Sequence, residues 1–271
     1  MIIGITGVTG NLGSYLKKRL KYKEILYFKK RIENKKDVNC WIKKNNFDSI
    51  IHLAAIVPTV LVNQNKKQAL KVNFEGTKNI VDAINKYSNK KVWLFYSSTS
   101  HVYKFKNKAL NEIDKTDPIS YYGETKLLGE KYILNNDKNF ITCIGRIFSY
   151  TSKKQNNKFI IPSLVAKLKS KNNEINFQNL NHTRDFLPIE DICSAIKILI
   201  KNKSRGIFNI CSNKKMNLQD LVIKLNRKYK KKLTFSNNKN SSVLFGCNKK
   251  IKNIGWKPLK IKYTDYLLKK I

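Results

Sequence analysis

The chain opens with a short apolar run that leads into three evenly spaced glycines. Residues 1–6 (MIIGIT) have the character of a strand buried on both faces, and the loop G-V-T-G-N-L-G follows with Gly7, Gly10 and Gly13. A strand, a glycine loop and a helix in this order let the backbone approach a pyrophosphate and place a helix N-terminus against it. This unit predicts an α/β fold that begins with a dinucleotide-binding loop.

Strand and helix patterns alternate through the first half of the chain. Apolar runs predict further strands at 24–28, 49–53, 91–98 and 139–146, and helical spacing predicts helices at 11–21, 38–46, 64–87 and 121–136. This alternation predicts a Rossmann-like, doubly wound parallel sheet with the first strand at its centre.

The second half of the chain is less regular. Helices are predicted at 159–170, 190–201 and 217–230, short strands at 174–177 and 207–211, and segment 248–271 is mixed. We expect residues 1–150 to form the dinucleotide-binding Rossmann domain. Residues 151–271 are expected to form mostly a small C-terminal substrate-binding cap, with segments that return to the Rossmann domain.

The charge balance is strongly basic, with 55 Lys and Arg against 18 Asp and Glu and a net charge of +37. Such an excess can indicate a nucleic-acid binder, and this interpretation rests on charge alone. The lysines are spread along the whole chain, without an arginine-rich stripe or aromatic residues interleaved with basic ones. We therefore interpret them as a solvated surface and expect no nucleic-acid partner.

The apolar runs and the cysteines indicate the compartment. No apolar run approaches the roughly 20 residues that cross a bilayer, and the five cysteines are scattered without a C-x-x-C pair. These features predict a cytoplasmic protein with reduced cysteines, no membrane insertion and no metal site.

A tyrosine and a lysine lie four residues apart in Y-G-E-T-K. Tyr122 and Lys126 therefore share one face of the predicted helix 121–136, where the ammonium would lower the pKa of the phenol. Such a tyrosine can exchange a proton with a sugar hydroxyl, and the lysine can hold a nicotinamide ribose. Upstream, Thr99, with Ser98 as the alternative, could hydrogen-bond the same substrate oxygen. The other interpretation is a packed tyrosine beside a surface lysine.

The end of the second predicted strand bears on the choice of cofactor. Lys29 and Arg31 follow it, and basic residues there suit the 2′-phosphate of NADP. Two alternatives remain, because these can be ordinary surface side chains and because Glu33 could bind a ribose of NAD. The sequence favours NADP, with NAD possible.

Eight ordered motifs together resemble one family. The chain is similar to the NAD-dependent epimerase/dehydratase family of extended short-chain dehydrogenases, and within it to the dTDP-4-dehydrorhamnose reductase branch. The motifs are GVTGNLG (7–13), HLAA (52–55), NFEGTKN (73–79), SSTSHVY (97–103), YYGETK (121–126), GRIFSY (145–150), RDFLPIEDI (184–192) and GIFNICS (206–212). The resemblance covers nearly the whole chain.

The resemblance implies roles for individual residues. The catalytic residues would be Thr99, Tyr122 and Lys126. The cofactor would be bound by Gly7, Thr9, Gly10, Asn11, Leu12, Gly13, Lys29, Arg31, Leu53, Ala54, Ala55, Tyr122 and Lys126, with Asp37 and Val38 bordering the adenine and Asn73 also supporting the active-site helix. The substrate would be bound by Ser100, His101, Phe148 and Arg184.

Departures from the family pattern narrow the expected reaction. Ser100 and His101 stand where the family's 4,6-dehydratases carry Asp and Glu, which argues against dehydration. His101 would be either an additional acid or base or a polar wall of the pocket. The resemblance implies an NAD(P)-dependent reductase or related epimerase for a nucleotide-activated sugar, with a 4-keto or 6-deoxy sugar expected, in surface polysaccharide synthesis.

Two other functions stay open at this point. One is a nucleotide-sugar 4-epimerase that retains NAD, and the other is a non-catalytic dinucleotide-binding sensor. By resemblance we also expect a homodimer that pairs through the helices at 64–87 and 121–136.

Overall fold

The computed structural model describes residues 1–239, 241–259 and 263–270, and a parallel sheet of six strands forms its centre. The strands are β1 (Ile2–Thr6), β2 (Glu24–Tyr27), β3 (Ser49–His52), β4 (Val92–Thr99), β5 (Phe140–Ile147), β6 (Ser149–Thr151), β7 (Glu174–Gln178), β8 (Thr183–Arg184), β9 (Phe186–Pro188), β10 (Gly206–Ile210), β11 (Met216–Asn217), β12 (Lys232–Ser236) and β13 (Val243–Leu244). The central sheet has the order β10-β5-β4-β3-β1-β2, and every neighbouring pair in it is parallel.

Helices cover both faces of this sheet. They are α1 (Asn11–Arg19), α2 (Lys35–Lys44), α3 (Thr59–Gln64), α4 (Lys66–Leu70), α5 (Gly76–Tyr87), α6 (Tyr121–Asn135), α7 (Ile160–Leu168), α8 (Ile189–Lys201), α9 (Leu218–Asn226), α10 (Lys249–Asn253) and α11 (Tyr263–Lys270). Within the described ranges, no helix combines the length and the apolar character needed to span a bilayer.

Alternation along the strands divides the core into two layers. Trp93 and Phe95 of β4 pack in one hydrophobic cluster with residues of α1 and α8, whereas Leu94 and Tyr96 pack in a second cluster with residues of α2 and α5. Because successive side chains of a strand point to opposite faces, this is the pattern of a sheet buried on both sides. The Rossmann-like, doubly wound fold is therefore confirmed.

The position of the first strand differs from expectation. We expected β1 at the centre of the sheet, and this was wrong, because only β2 lies beyond it at that edge. The chain builds one strand on that side and then crosses to β3 on the other side of β1. The reversal of direction still falls between β1 and β3, where open α/β sheets bind ligands at the carboxyl ends of their strands.

The single long helix predicted at 64–87 is broken in the structure. It is replaced by α4, a π-helical turn (Lys71–Glu75) and α5, with α3 ahead of them. Asn65 ends α3 and caps α4 by accepting a hydrogen bond from the backbone N–H of Gln68. A π-turn inside a helix shifts the following side chains, and such turns are frequent at functional sites.

Segments after residue 148 build three small sheets beside the central one. These sheets have the orders β11-β8-β13, β12-β7 and β6-β9, and a third hydrophobic cluster contains residues of α7, α9 and α11. Strand β10 lies in the central sheet beside β5. Sequence periodicity missed several of these strands because two or three residues are too few to display a period of two.

The glycine loop is held by very close backbone contacts. A Cβ atom on Gly13 would lie 2.1 Å from the carbonyl oxygen of Gly7, and one on Gly7, where φ is +70°, would lie 2.5 Å from the backbone nitrogen of Ala54. A Cβ on Gly10 would meet nothing nearer than 3.4 Å. The start of α1 can therefore lie against the ends of β1 and β3 only if Gly7 and Gly13 lack side chains.

We predict that Gly13→Ala lowers the free energy of unfolding by about 2–3 kcal/mol, because the added methyl group would overlap a backbone carbonyl that cannot move away. Gly10→Ala is the matched control and should cost less than about 1 kcal/mol. Urea denaturation of the two variants measures the difference. Helix propensity alone favours alanine inside a helix, so a Gly13→Ala protein as stable as the wild type would contradict the packing argument.

Candidate active site

The candidate site lies at the carboxyl edge of the central sheet. The glycine loop follows β1, Leu53 to Ala55 follow β3, and Thr99 ends β4. Leu53, Ala54 and Ala55 each retain some solvent exposure, whereas the strand residues before them are buried. The topology thus places these three predicted segments at the edge of the sheet where the order of the strands changes direction, between β1 and β3.

A chain of buried hydrogen bonds connects β1, β3 and α5. The Thr6 hydroxyl lies 2.7 Å from Nδ1 of His52, and Nε2 of His52 lies 3.1 Å from the Thr77 hydroxyl. Burial, with a smaller contribution from Lys126, lowers the pKa of His52 to about 3. His52 is therefore a neutral structural residue that bridges two hydroxyl groups.

Asn73 joins the loop after β3 to the helix α6. Its side-chain oxygen accepts a hydrogen bond from the Ile56 backbone N–H at 2.8 Å, and its amide nitrogen donates to the Ile56 carbonyl and to the Thr125 hydroxyl at 3.1 and 3.0 Å. Asn73 has no exposed surface. The expectation that Asn73 supports this helix is confirmed, but its placement among residues that contact a cofactor is wrong, because it is sealed inside the protein.

Thr99, Tyr122 and Lys126 converge at this edge, and all three are buried. The Thr99 hydroxyl is within hydrogen-bonding reach of the Tyr122 phenol. The Lys126 ammonium lies 4.1 Å from the centre of the Tyr96 ring, where the face of the aromatic ring attracts a cation. The structure thus brings Thr99 to Tyr122, and Lys126 lies one turn further along the same helix.

The electrostatics of this group differ from expectation. Lys126 was expected to lower the pKa of Tyr122, but burial raises the pKa of that phenol, and the hydrogen bond from Thr99 opposes the rise only in part. Burial also lowers the pKa of Lys126 to about 7, against an opposing effect of Glu130. The correction has a simple cause, since a dry environment disfavours the charged form of both groups.

A buried ion pair supports α6 one turn beyond Lys126. Arg146 of β5 donates to Glu130 through Nε at 3.1 Å and through a terminal nitrogen at 2.7 Å, and both side chains are at most 4% exposed. Ser98 donates its hydroxyl proton to the same carboxylate. Because Ser98 is engaged in this way, Thr99 is the hydroxyl that remains for a substrate.

The predicted substrate-binding residues divide into two groups. His101 and Arg184 are partly exposed, whereas Ser100 and Phe148 are 2% and 3% exposed. Phe148 packs in a hydrophobic cluster with Val102 and other side chains, so it lies behind the cleft wall. In this structure, Ser100 and Phe148 are structural residues, which corrects the expectation for both.

Arg184 and its neighbour in sequence have different surroundings. Arg184 donates to the carbonyls of Thr183 and Ser242, and its guanidinium lies 5.6 Å from the Phe105 ring centre. Asp185 is buried and accepts backbone hydrogen bonds from Ser212 and the two loop residues Asn213 and Gly246, while burial raises its pKa to about 6. Asp185 thus holds in place the strand that carries Arg184.

The basic residues after β2 are exposed and partly paired. Lys30 binds Asp37 at 2.7 Å, and Arg31 binds Glu33 at 3.1 Å, while Lys29 is exposed. Gln68 also donates to Glu33, so this carboxylate is already engaged. Val38 has no exposed surface and packs in the core. The expectation that Val38 borders the adenine is therefore wrong in this structure.

The residues of the glycine loop fit a dinucleotide phosphate. Gly10 caps α1 without a side-chain hydrogen bond, and the first turn of α1 holds no acidic residue. The N–H groups of this turn and the positive end of the helix dipole therefore remain available to an anion. Thr9 and Gly10 are exposed, whereas the Leu12 side chain is buried in the core. Leu12 could therefore contribute only backbone groups.

Asn11 lines a separate cavity of about 320 Å³ between α1 and α8. Lys18, Lys154 and Glu190 also line it, and none of the three catalytic candidates does. This cavity is therefore distinct from the group of Thr99, Tyr122 and Lys126.

Three features of the site escaped sequence reasoning. The ion pair of Glu130 and Arg146 has a signal, namely a charged residue inside the apolar strand FITCIGRI. Ser120 has the ordinary signal of a helix cap, directly before Y-Y-G-E-T-K. Tyr150 lies close enough to Tyr122 that the Tyr122 phenol, after burial, raises the pKa of Tyr150. No local sequence pattern indicates that the two tyrosines are close.

Comparison with known proteins identifies the family. The profile of the NAD dependent epimerase/dehydratase family matches residues 3–211. The chain belongs to this family. One relative, a GDP-6-deoxy-D-talose 4-dehydrogenase from Aggregatibacter actinomycetemcomitans, is 30% identical over 223 residues, which cover 78% of this chain and 74% of that protein.

Solved structures share the fold of the chain. The structure of RMD from Pseudomonas aeruginosa, complexed with NADPH, matches with a TM-score of 0.84 at 19% identity and covers 98% of this chain and 96% of its own. A dTDP-4-dehydrorhamnose reductase from Clostridium acetobutylicum matches with a TM-score of 0.83 at 21% identity, with coverage of 99% and 98%. At these identities the likeness shows the fold alone.

We predict that Lys126→Met raises the free energy of unfolding by about 1–2 kcal/mol at pH 7, because it removes a charge from a dry site. The native pKa of Lys126 is lowered to about 7, so between about pH 7 and 10 the unfolded state binds more protons than the native state. The stability of the wild type should therefore increase across this window relative to the variant. Urea denaturation at about pH 7 and 10 measures how much more stable Lys126→Met is than the wild type. An equal difference at the two pH values would contradict the lowered pKa of Lys126.

Proposed function

We propose that the protein is an NADP(H)-dependent reductase that acts on the 4-keto group of a nucleotide-activated sugar. The observation that carries the proposal is the buried group of Thr99, Tyr122 and Lys126, with Thr99 at the same edge of the central sheet as the glycine loop. His101, in place of a carboxylate, argues against dehydration because no acidic side chain follows Thr99 directly.

A protonated phenol is the form of Tyr122 that a reduction requires. Burial raises the pKa of Tyr122, so the phenol is protonated at neutral pH and can give its proton to a carbonyl oxygen. Thr99 is within reach of the phenol and can donate to the same oxygen. Reduction of a ketone needs a hydride at carbon and a proton at oxygen, and Tyr122 is the proposed source of that proton.

A nicotinamide dinucleotide, when bound, would supply the hydride for such a reduction. We propose that Gly7, Gly10 and Gly13 with the N-terminus of α1 hold its pyrophosphate, and that Leu53 to Ala55 line its cleft. Lys126 would hold the ribose next to the nicotinamide. The engagement of Glu33 by Arg31 and Gln68 supports NADP, because that carboxylate is not free to bind the ribose hydroxyls of NAD.

The substrate class is proposed from the relatives and from the segments after residue 150. The relatives include a GDP-6-deoxy-D-talose 4-dehydrogenase and, at 24% identity, a GDP-6-deoxy-D-mannose reductase from Pseudomonas aeruginosa. We propose that residues 151–271 form mostly a substrate-binding cap and that Arg184 faces the diphosphate. The proposed setting is cytoplasmic synthesis of surface polysaccharide.

The proposal extends to a homodimer that pairs through α5 and α6. Leu128 and Leu134 of α6 are each 42% exposed, and a pair formed on this helix would cover exposed apolar side chains. The mass in solution checks this, since a species of one chain at micromolar concentration would exclude a stable pair.

We predict that the protein oxidises NADPH in stoichiometric amounts when given a nucleotide 4-keto-6-deoxy sugar. The measurement follows NADPH absorbance with a panel of GDP-, dTDP- and UDP-linked 4-keto sugars, and NADH is run in parallel. NADPH should be used faster than NADH. A sugar that changes configuration without loss of absorbance would indicate an epimerase that retains NAD, and binding without either change would indicate a sensor.

We predict that Tyr122→Phe lowers turnover by roughly 10²–10⁴, because it removes only the proton that the phenol donates. Fold and cofactor affinity should survive, as the ring packing is kept. Lys126→Ala should in addition weaken cofactor binding. Tyr132→Phe is the matched control on α6; it loses a hydroxyl bonded to Asp82 of α5 and should turn over as the wild type does. Near wild-type turnover in Tyr122→Phe would contradict the assignment of Tyr122 as the proton donor.

A further inference from the structure

The ring of His101 is held by the residue that caps α6. Nδ1 of His101 lies 3.0 Å from the Ser120 hydroxyl oxygen, and the Gly123 backbone N–H donates to the same oxygen at 3.1 Å. The backbone of His101 is fixed as well, because its N–H donates to the Thr99 hydroxyl oxygen and its carbonyl accepts from the Ile119 N–H. The ring therefore has a single defined orientation at the edge of the candidate site.

The cap favours one tautomer of the imidazole. The Ser120 oxygen accepts the Gly123 N–H, and its second lone pair could also accept a proton from Nδ1. In that case the Ser120 hydroxyl proton would have no acceptor among the residues that the structure describes, whereas donation to Nδ1 satisfies both groups. The neutral ring is therefore expected to carry its proton on Nε2.

The surroundings keep the ring neutral. Tyr122 of α6 stands edge-on to it with ring centres 5.8 Å apart, and the cation of Arg184 on β8 is close enough to disfavour a second positive charge. Burial and then Arg184 lower the pKa of His101 to about 4. Nε2 has no hydrogen-bond partner in the described part of the chain, and it is not among the atoms sealed from solvent. The free N–H thus remains available at the cleft.

We propose that His101 is a neutral substrate-binding residue, held by Ser120 in the tautomer that donates Nε2–H to an oxygen of the bound sugar. It takes no part in proton transfer. This decides between the two roles that the sequence left open for His101, an acid or base and a polar wall. The assignment of a sugar as the acceptor rests on the proposed function, whereas the tautomer does not.

The tautomer can be measured without any substrate. The chain holds three histidines, so two-bond ¹H–¹⁵N correlation spectra of the labelled protein contain three imidazole patterns, and His101→Gln and His182→Gln assign them. The pattern lost in His101→Gln should show a protonated Nε2 and a bare Nδ1, unchanged between about pH 5.5 and 8. A proton on Nδ1, or titration inside this window, would overturn the proposal even if the substrate class is right.

The role of Ser120 has its own readout. Ser120→Gly removes the hydroxyl but keeps a residue that helix caps tolerate, so the fold should persist. In this variant the His101 pattern should shift toward a mixture of the two tautomers. A pattern identical to that of the wild type would show that Ser120 does not set the tautomer, and the proposal would fail.

Kinetics then separates donation from proton transfer, once a substrate is found by the NADPH assay. His101→Leu should lower kcat/KM by about tenfold, the usual worth of a neutral hydrogen bond. His101→Gln places an amide N–H near the position of Nε2 and should lose less, with the pH profile unchanged. Losses of roughly 10²–10⁴ in both variants, with a limb of the pH profile removed, would identify an acid or base and overturn the proposal. Failure of every sugar to support turnover would instead count against the proposed function.

Discussion

The position of the catalytic candidates depends on the hydrogen bonds of one buried amide. Asn73 binds both backbone groups of Ile56 and the hydroxyl of Thr125, so it ties the loop after β3 to the helix that carries Tyr122 and Lys126. A buried polar group that loses its hydrogen-bond partners costs free energy. The loss of one of these bonds would therefore destabilise the contact between the loop and the helix. The π-turn at Lys71–Glu75 contains Asn73, so the interruption of the helix coincides with these hydrogen bonds.

The same edge of the sheet accepts an electrostatic cost. Lys126 and Tyr122 lie where water is excluded, and each is held away from its charged form. Glu130 is the nearest anion to oppose this on Lys126, yet it is itself paired with Arg146. Apolar side chains at this site would give a more stable fold. We therefore interpret the buried lysine as a residue that lowers stability and serves the function of the site.

The strand that carries Arg184 is positioned by different means. Its neighbour Asp185 accepts backbone N–H groups from the loop after β10 and from Gly246, which lie far apart in the sequence. Arg184 can therefore stay near His101, where its charge disfavours an imidazolium. The surroundings of His101 bear on its chemistry, because burial and the charge of Arg184 disfavour the imidazolium that an acid or base at this position would have to form.

Within the first 150 residues, the sequence alone determined the alternation of strands and helices, the glycine loop and the spacing of Tyr122 and Lys126, since these follow from local periodicity and short spacing. The ordered motifs also determined the family. Sequence reasoning could not place Val38 and Phe148 in the core, because burial depends on contacts between distant segments. For the same reason it could not tell that Asp185 is buried while Arg184 is partly exposed. It also erred on the pKa of Tyr122, since it counted the neighbouring charge and could not count the water excluded from the site. Tertiary structure decided these points because desolvation and hydrogen-bond satisfaction are properties of the packed chain.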